Sequence, residues 1–215
     1  MTSRTIDHTG RDIPPQTRPD WLLDIEVHSP IEAIAQSLSR INRFCGNSPR
    51  AYTVAKHSVI VMHLLPPDAS YNASKMALLH DGHEAYLSDM PRPLKQRLGR
   101  IIDAICEEYD DILFPRYGIE QNIWDADMVG NADDMASRIE LNTLGMVFPD
   151  DIAERLKDYD VFALKSNAIR KQVAKLLASS ASSDYDCNQW LWWWNEVKQR
   201  QAYAALRPVQ EGEAV

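Results

Sequence analysis

The chain has 215 residues, 45% hydrophobic and 25% charged, with 31 acidic against 23 basic side chains and a formal net charge of -8. That length can bury a substantial core in one domain, and the composition is that of an ordinary globular protein, which excludes wholesale disorder. The acidic balance argues against a general binder of nucleic-acid polymers, yet it admits a small anionic substrate held by a few basic groups or a cation.

In chain order, residues 1–28 carry Pro14, Pro15 and Pro19 and read as an irregular arm, pinned to the body by Trp21-Leu22-Leu23. Ser29-Pro30 supplies a cap and a first-turn proline for a helix with an apolar face at Ile31, Ile34, Ala35, Leu38 and Ile41. Gly46-Asn47-Ser48-Pro49 ends it, and a second helix is expected from Thr53 to Leu65, stopped by Pro66-Pro67. A third starts near Asn72 and runs toward Leu87, before Met90-Pro91-Arg92-Pro93 breaks the chain. Residues 94–113 and 121–147 read as further helices, and Asp150 to Leu177 is helical in character. Ser179–Ser183 is a short connector, Trp190–Trp194 opens a last helix to Leu206, and Pro208–Val215 frays.

No alternating strand pattern stands out, so the fold class is all-α. The boundaries are an arm (1–28), a main domain (29–178) and a connector with a Trp-rich helix (179–215). That helix packs on the domain or on a partner subunit, so a homo-oligomer is one use of the Trp cluster. Cys45, Cys106 and Cys187 are odd in number, far apart and lack C-x-x-C spacing, so buried thiols are expected rather than disulfides or a thiolate zinc site. The polar N-terminus has no apolar signal segment and no run is long enough to span a membrane; a cytoplasmic protein without membrane partners is expected.

The chemistry concentrates in Leu78-Leu79-His80-Asp81-Gly82-His83-Glu84-Ala85. Imidazole and carboxylate are suited to a divalent cation. On a continuous helix Glu84 shares a face with His80 and Asp81, within reach of a water activated there. His57, flanked by Val54, Ala55 and Val59 on the preceding helix, faces the same region. A fourth ligand is sought in residues 125–140, where Val129, Ala132, Met135, Ala136 and Ile139 define an inward face. Asp133 borders that face and Asp134 lies about 100° further round. Asp125 and Asp127 are less favoured, with capping or solvation as their ordinary roles.

Taken together, these segments resemble the HD-domain phosphohydrolases, whose signature is a histidine, a distant His-Asp pair and a later aspartate. Within them the chain is similar to a small bacterial and phage group that includes HD-domain 5'-deoxynucleotidases and phage dATP triphosphohydrolases. The resemblance covers roughly residues 30–145 and implies an HD-domain helical bundle. It implies one divalent metal ion (Mn, Co, Ni, Zn, Fe or Mg) held by His57, His80, Asp81 and Asp133. Glu84 takes the place of the catalytic carboxylate, and Asp89, in Leu87-Ser88-Asp89-Met90-Pro91, that of an aspartate closing on substrate or water. Arg43 and Lys95 take the places of phosphate-binding residues. Phe44 stands where the deoxynucleotidases carry a tryptophan, and Lys56 precedes His57 where an acidic residue is usual. His83 is expected at the surface or behind the ligands, since no further ligands for a second metal are evident; Arg50 is an outlying second phosphate contact. The implied function is hydrolysis of a nucleotide phosphate ester, first as a 5'-nucleotidase on deoxynucleoside monophosphates, alternatively as a dNTP triphosphohydrolase. A non-catalytic nucleotide sensor is the reading from another class.

Overall fold

The computed structural model describes residues 5–6, 12–13, 30–144, 167–179 and 182–206. His8, Trp21–Leu23, His28, Ser29, residues 150–166 and the tail from Pro208 lie outside them. The described chain is all-α, apart from a two-residue antiparallel pairing of Thr5–Ile6 with Asp12–Ile13 and a single bridge between Asn42 and Thr53.

The first helix, α1 (Ile31–Leu38), buries Ile34, Ala35 and Leu38. It stops three residues short of Ile41, because the chain then enters the bridge: Arg43 N donates to Tyr52 O at 2.8 Å and Val54 N to Ile41 O at 3.0 Å. Between them the 3-10 turn Arg43–Gly46 holds Phe44 and Cys45 in left-handed conformations, φ 59° and 53°. Such backbone costs on the order of 1–3 kcal/mol for a side-chain-bearing residue and persists where surroundings impose it.

Hydroxyl and amide caps open the helices that carry the site. Thr53 Oγ1 accepts from Lys56 N at 3.2 Å and starts α2 (Val54–Leu64), whose residues are buried all round except near its end. Ser70 Oγ accepts from Ala73 N at 2.8 Å and starts α3 (Tyr71–Leu79). The helix expected to run on to Leu87 is instead interrupted. Residues 80–83 form turns with three-residue bonds, Gly82 N to Leu79 O at 2.8 Å and Glu84 N to Asp81 O at 3.0 Å, before the short α4 (Glu84–Leu87). Gly82 permits this tightening, since a Cβ there would stand 2.8 Å from the Leu79 carbonyl oxygen.

The expected helix over 94–113 is two helices, α5 (Arg92–Leu98) and α6 (Arg100–Arg116), hinged at Gly99 with φ 54°. Asn122 Oδ1 accepts from Asp125 N at 2.9 Å and opens α7 (Ile123–Thr143). The helices α8 (Asn167–Ala178) and α9 (Ser183–Leu206) complete the described fold.

The core lies where α2 and α3 pack against each other, against α7 and against α9. Of the Trp cluster, Trp190 and Trp194 are buried and stacked, 5.4 Å between ring centroids. Trp190 Nε1 donates to Leu78 O at 2.9 Å, two residues before His80. Each buried indole contributes on the order of 3–5 kcal/mol by comparison with truncation to alanine. Trp193 sets its ring against the edge of His63, while Trp192 is half exposed. Lys56, buried in place of the acidic residue the family pattern suggested, ties α9 to the start of α2. Its Nζ donates to Ser179 O at 2.9 Å and lies 3.7 Å from Asp186, which accepts from Thr53 Oγ1 at 2.8 Å. The last helix is therefore part of the core. Cys45 is exposed and Cys106 and Cys187 are partly buried, so the thiols are less enclosed than expected. Among the described residues no helix is long and apolar enough to cross a membrane.

Candidate metal centre

His57 on α2, and His80 and Asp81 just past the end of α3, bring one ligand atom each to within 4.8 Å of one another. His80 Nε2 is 3.3 Å and His57 Nε2 3.7 Å from Asp81 Oδ2, and His57 Nε2 is 2.9 Å from Asp133 Oδ1 on α7. Ligands of one cation at about 2.1 Å stand roughly 3.0–3.4 Å apart at octahedral or tetrahedral angles, and the separations here, 2.9, 3.3 and 3.7 Å, scatter around that range. Asp133 joins through His57 and lies outside the tightest trio.

The ring orientations fit the same use. His57 Nδ1 is 2.6 Å from Glu140 Oε1, and His80 Nδ1 is 2.8 Å from Ala77 O. A carboxylate or carbonyl on Nδ1 fixes the tautomer that leaves Nε2 for a metal. Both Nε2 atoms are buried without an aligned hydrogen-bond partner among the described residues. Burial and the Arg43 guanidinium disfavour charge on His57, but Glu140 and Asp133 outweigh both and raise its imidazole to about 10. Surroundings that stabilise a proton on Nε2 this strongly also stabilise a cation in its place. The donor set thus fits a divalent ion of first-row type.

The alternatives on α7 separate cleanly. Asp134 is exposed and pairs with Arg92 at 3.1 Å. Asp125 is buried in the first turn of α7, where its carboxylate accepts from Ser70, Asn72 and Asn122. Asp127 faces solvent.

Arg43 lies between the trio and the core. Its Nη1 is 3.5 Å from Asp81, its Nε 3.4 Å from Glu140, and its Nη2 donates to Ser137 Oγ at 3.3 Å. Burial works against its charge, but Glu140, Asp81 and Asp133 hold it firmly protonated. Phe44 lies beside it, with the Arg43 guanidinium 5.4 Å from the ring centroid. Asp89 Oδ2 accepts from Phe44 N at 3.0 Å, so the expected closing aspartate fixes the strained turn that carries Arg43.

Glu84 is 2% exposed, and Lys95 Nζ sits 3.1 Å from its Oε1. Burial and the nearby Asp81 raise the Glu84 carboxyl to about 7. Glu84 therefore does reach the Asp81 side, though through the tightened turn rather than a continuous helix face. Arg50 turns away from the centre and donates to Ala178 O at 3.3 Å.

One further residue had no role from the sequence. Glu140, wholly buried, joins His57, Arg43 and the Tyr52 hydroxyl, which donates to it at 2.7 Å. It lies seven residues after Asp133, two turns along the same edge of α7, and that spacing was its only signal. His83, expected at the surface or behind the ligands, is not at the surface: it is 7% exposed, with Nδ1 3.1 Å from Asp110 on α6. A cleft of about 450 Å³ lined by Met76, Glu107, Asp110, Asp111, Phe114 and Asn122 shares only Asp110 with this region.

No family model matches the chain. A stretch of 89 residues is 39% identical to the uncharacterized protein YfdR of Escherichia coli strain K12, covering 41% of this chain and 47% of that protein. The chain thus spans about half the length of the curated relative it matches.

Proposed function

We propose that the protein is a metal-dependent nucleotide phosphohydrolase of the HD-domain type, acting first on deoxynucleoside monophosphates. The observation that carries this reading is the juxtaposition, in one buried centre, of the His57, His80 and Asp81 trio, a fixed Arg43 guanidinium and a carboxyl at Glu84 raised to about 7.

His57, His80, Asp81 and Asp133 would hold the divalent ion, which when bound polarises a phosphoryl group and acidifies water. Arg43, already paid for in its placement by Glu140 and Asp81, presents a permanent positive charge to a non-bridging phosphate oxygen. Lys95 leaves Glu84 for another phosphate oxygen, which frees Glu84 to accept a proton at its carboxylate. Phe44 lends an apolar ring beside Arg43 to the nucleoside. Asp89 holds that turn through the Phe44 amide.

The basic groups favour a short phosphate chain. Among the described residues, Arg50 donates to Ala178 O and Arg92 pairs with Asp134 at the surface, while Arg43 and Lys95 lie against Asp81 and Glu84. Incubation of the full chain with a panel of deoxynucleotides and Mn²⁺ or Co²⁺ tests the reading. Orthophosphate release from monophosphates is expected, with the rate abolished by chelator and restored by metal. Tripolyphosphate release from dNTPs would replace the substrate class, and tight nucleotide binding without hydrolysis would make the protein a sensor.

A further inference from the structure

Two segments carry His57 and His80, and α9 bonds to both. At the end of α3 the helical pattern breaks. A continuing helix would send Gly82 N to Leu78 O, but Gly82 N donates to Leu79 O at 2.8 Å. The Leu78 carbonyl instead accepts from Trp190 Nε1 of α9, at 2.9 Å in a buried bond. A buried carbonyl left without a donor is costly, so the indole N–H stabilises the interrupted helix end. His80 and Asp81 lie within that break, with His80 Nε2 3.3 Å from Asp81 Oδ2. The start of α2 is held by a relay. Thr53 Oγ1 accepts from Lys56 N at 3.2 Å and donates to Asp186 Oδ2 of α9 at 2.8 Å. A hydroxyl has one hydrogen to give, so Asp186 fixes the rotor that leaves the Thr53 lone pairs to the helix. His57 N donates to Thr53 O at 3.1 Å in the same turn.

We propose that Trp190 and Asp186 are positioning residues of the metal centre, through which α9 sets the spacing of the His80 and His57 segments. The inference rests on the metal-centre reading above. Trp190 and Asp186 are both buried and four residues apart, so they share one face of α9. Trp190 acts through the Leu78 carbonyl, and Asp186 through the Thr53 hydroxyl and through Lys56, whose Nζ is 3.7 Å from its Oδ1. Ligating groups work only when held within about 0.5 Å of the productive geometry, and one rigid helix bonded to both segments supplies such a reference. Packing alone does not require these polar bonds. Trp194, equally buried and stacked on Trp190, sets its ring against Tyr117 and supplies apolar burial of the same kind.

Calorimetric titration of the full chain with Mn²⁺, with thermal unfolding and amide hydrogen exchange of the metal-free protein, tests this. Trp190→Phe keeps a ring in the stack and removes the N–H; Asp186→Asn keeps the shape and removes the charge. Each is expected to weaken Mn²⁺ binding about 10–100-fold, the usual scale for groups that orient ligands. In metal-free Trp190→Phe the amides of residues 80–83 exchange faster, as a locally loosened segment does. Trp194→Phe is the control: it lowers the unfolding temperature comparably, yet Mn²⁺ affinity and exchange at 80–83 stay as in the wild type. Thr53→Val, close in shape but without the relayed hydroxyl, is expected to match Asp186→Asn, while Thr53→Ser keeps wild-type affinity. Wild-type Mn²⁺ affinity in Trp190→Phe and Thr53→Val, or an equal loss in Trp194→Phe, reduces α9 to packing and overturns the inference while the metal centre stands. A wild type that binds no Mn²⁺ overturns both.

Discussion

Glu84→Gln is expected to lower turnover about 10²–10⁴-fold, the usual range for removal of a positioned proton acceptor, while the ion held by His57, His80, Asp81 and Asp133 stays bound. The side chain keeps its shape and can still meet Lys95, so the change isolates the ability to take a proton. Glu84 is buried where ionisation is costly, and Asp81 adds to the cost, which together raise its carboxyl to about 7. A group acting as base must be ionised. The wild-type rate therefore falls as pH drops through about 7, and the residual rate of Glu84→Gln lacks that limb. Steady-state rates from pH 5 to 9, with metal content measured on the same samples, check both parts. Unchanged turnover with retained metal would remove Glu84 from the chemistry.

Glu140→Gln is the second large effect, and it reaches two properties at once. Glu140 is 0% exposed and makes contacts to His57 Nδ1, Arg43 Nε and the Tyr52 hydroxyl. Burial works against its charge, yet His57 and Arg43 hold its carboxyl below the ordinary value of 4.5. Neutralising it leaves the Arg43 guanidinium in the core without its main counter-charge, at a cost of about 3–5 kcal/mol for a broken buried pair. It also releases the His57 ring, for which a 10–100-fold loss of metal affinity is the usual scale. Because the folded-state pKa is depressed, this stabilisation is present above about pH 4.5 and is lost as pH falls below it through the folded value. Thermal unfolding without metal and calorimetric titration with Mn²⁺ separate the two effects. A variant that matches the wild type in both would show that Glu140 is a bystander.

What the sequence made legible follows the physics of caps and breakers. Thr53 and Pro66-Pro67 bound α2 as expected, and the apolar stripe of α1 identified Ile34, Ala35 and Leu38 as its buried face. The helix boundaries that failed did so where long-range bonds compete with local pattern. Ile41 continues the helical spacing, yet its carbonyl is claimed by Val54. His80–His83 continue the third helix in composition, yet tighten into turns that only a glycine at position 82 accommodates. The polar residues of the centre were legible by type and order: the structure brings His57, His80 and Asp81 together, sets Asp133 against His57, and turns Asp134 to solvent. Glu140 and the His83–Asp110 pair were not legible. A buried carboxylate on a polar helix edge resembles a solvated one until its partners from α2 and the turn at Arg43 are in place.

The most direct test is the position of the cation itself. Crystals grown with Mn²⁺ and measured at the Mn absorption edge should give an anomalous peak about 2.0–2.4 Å from His57 Nε2, His80 Nε2 and oxygens of Asp81 and Asp133. A map without a peak there, with His57 Nε2 still against Asp133 in saturating metal, would contradict the metal centre and the hydrolase reading built on it.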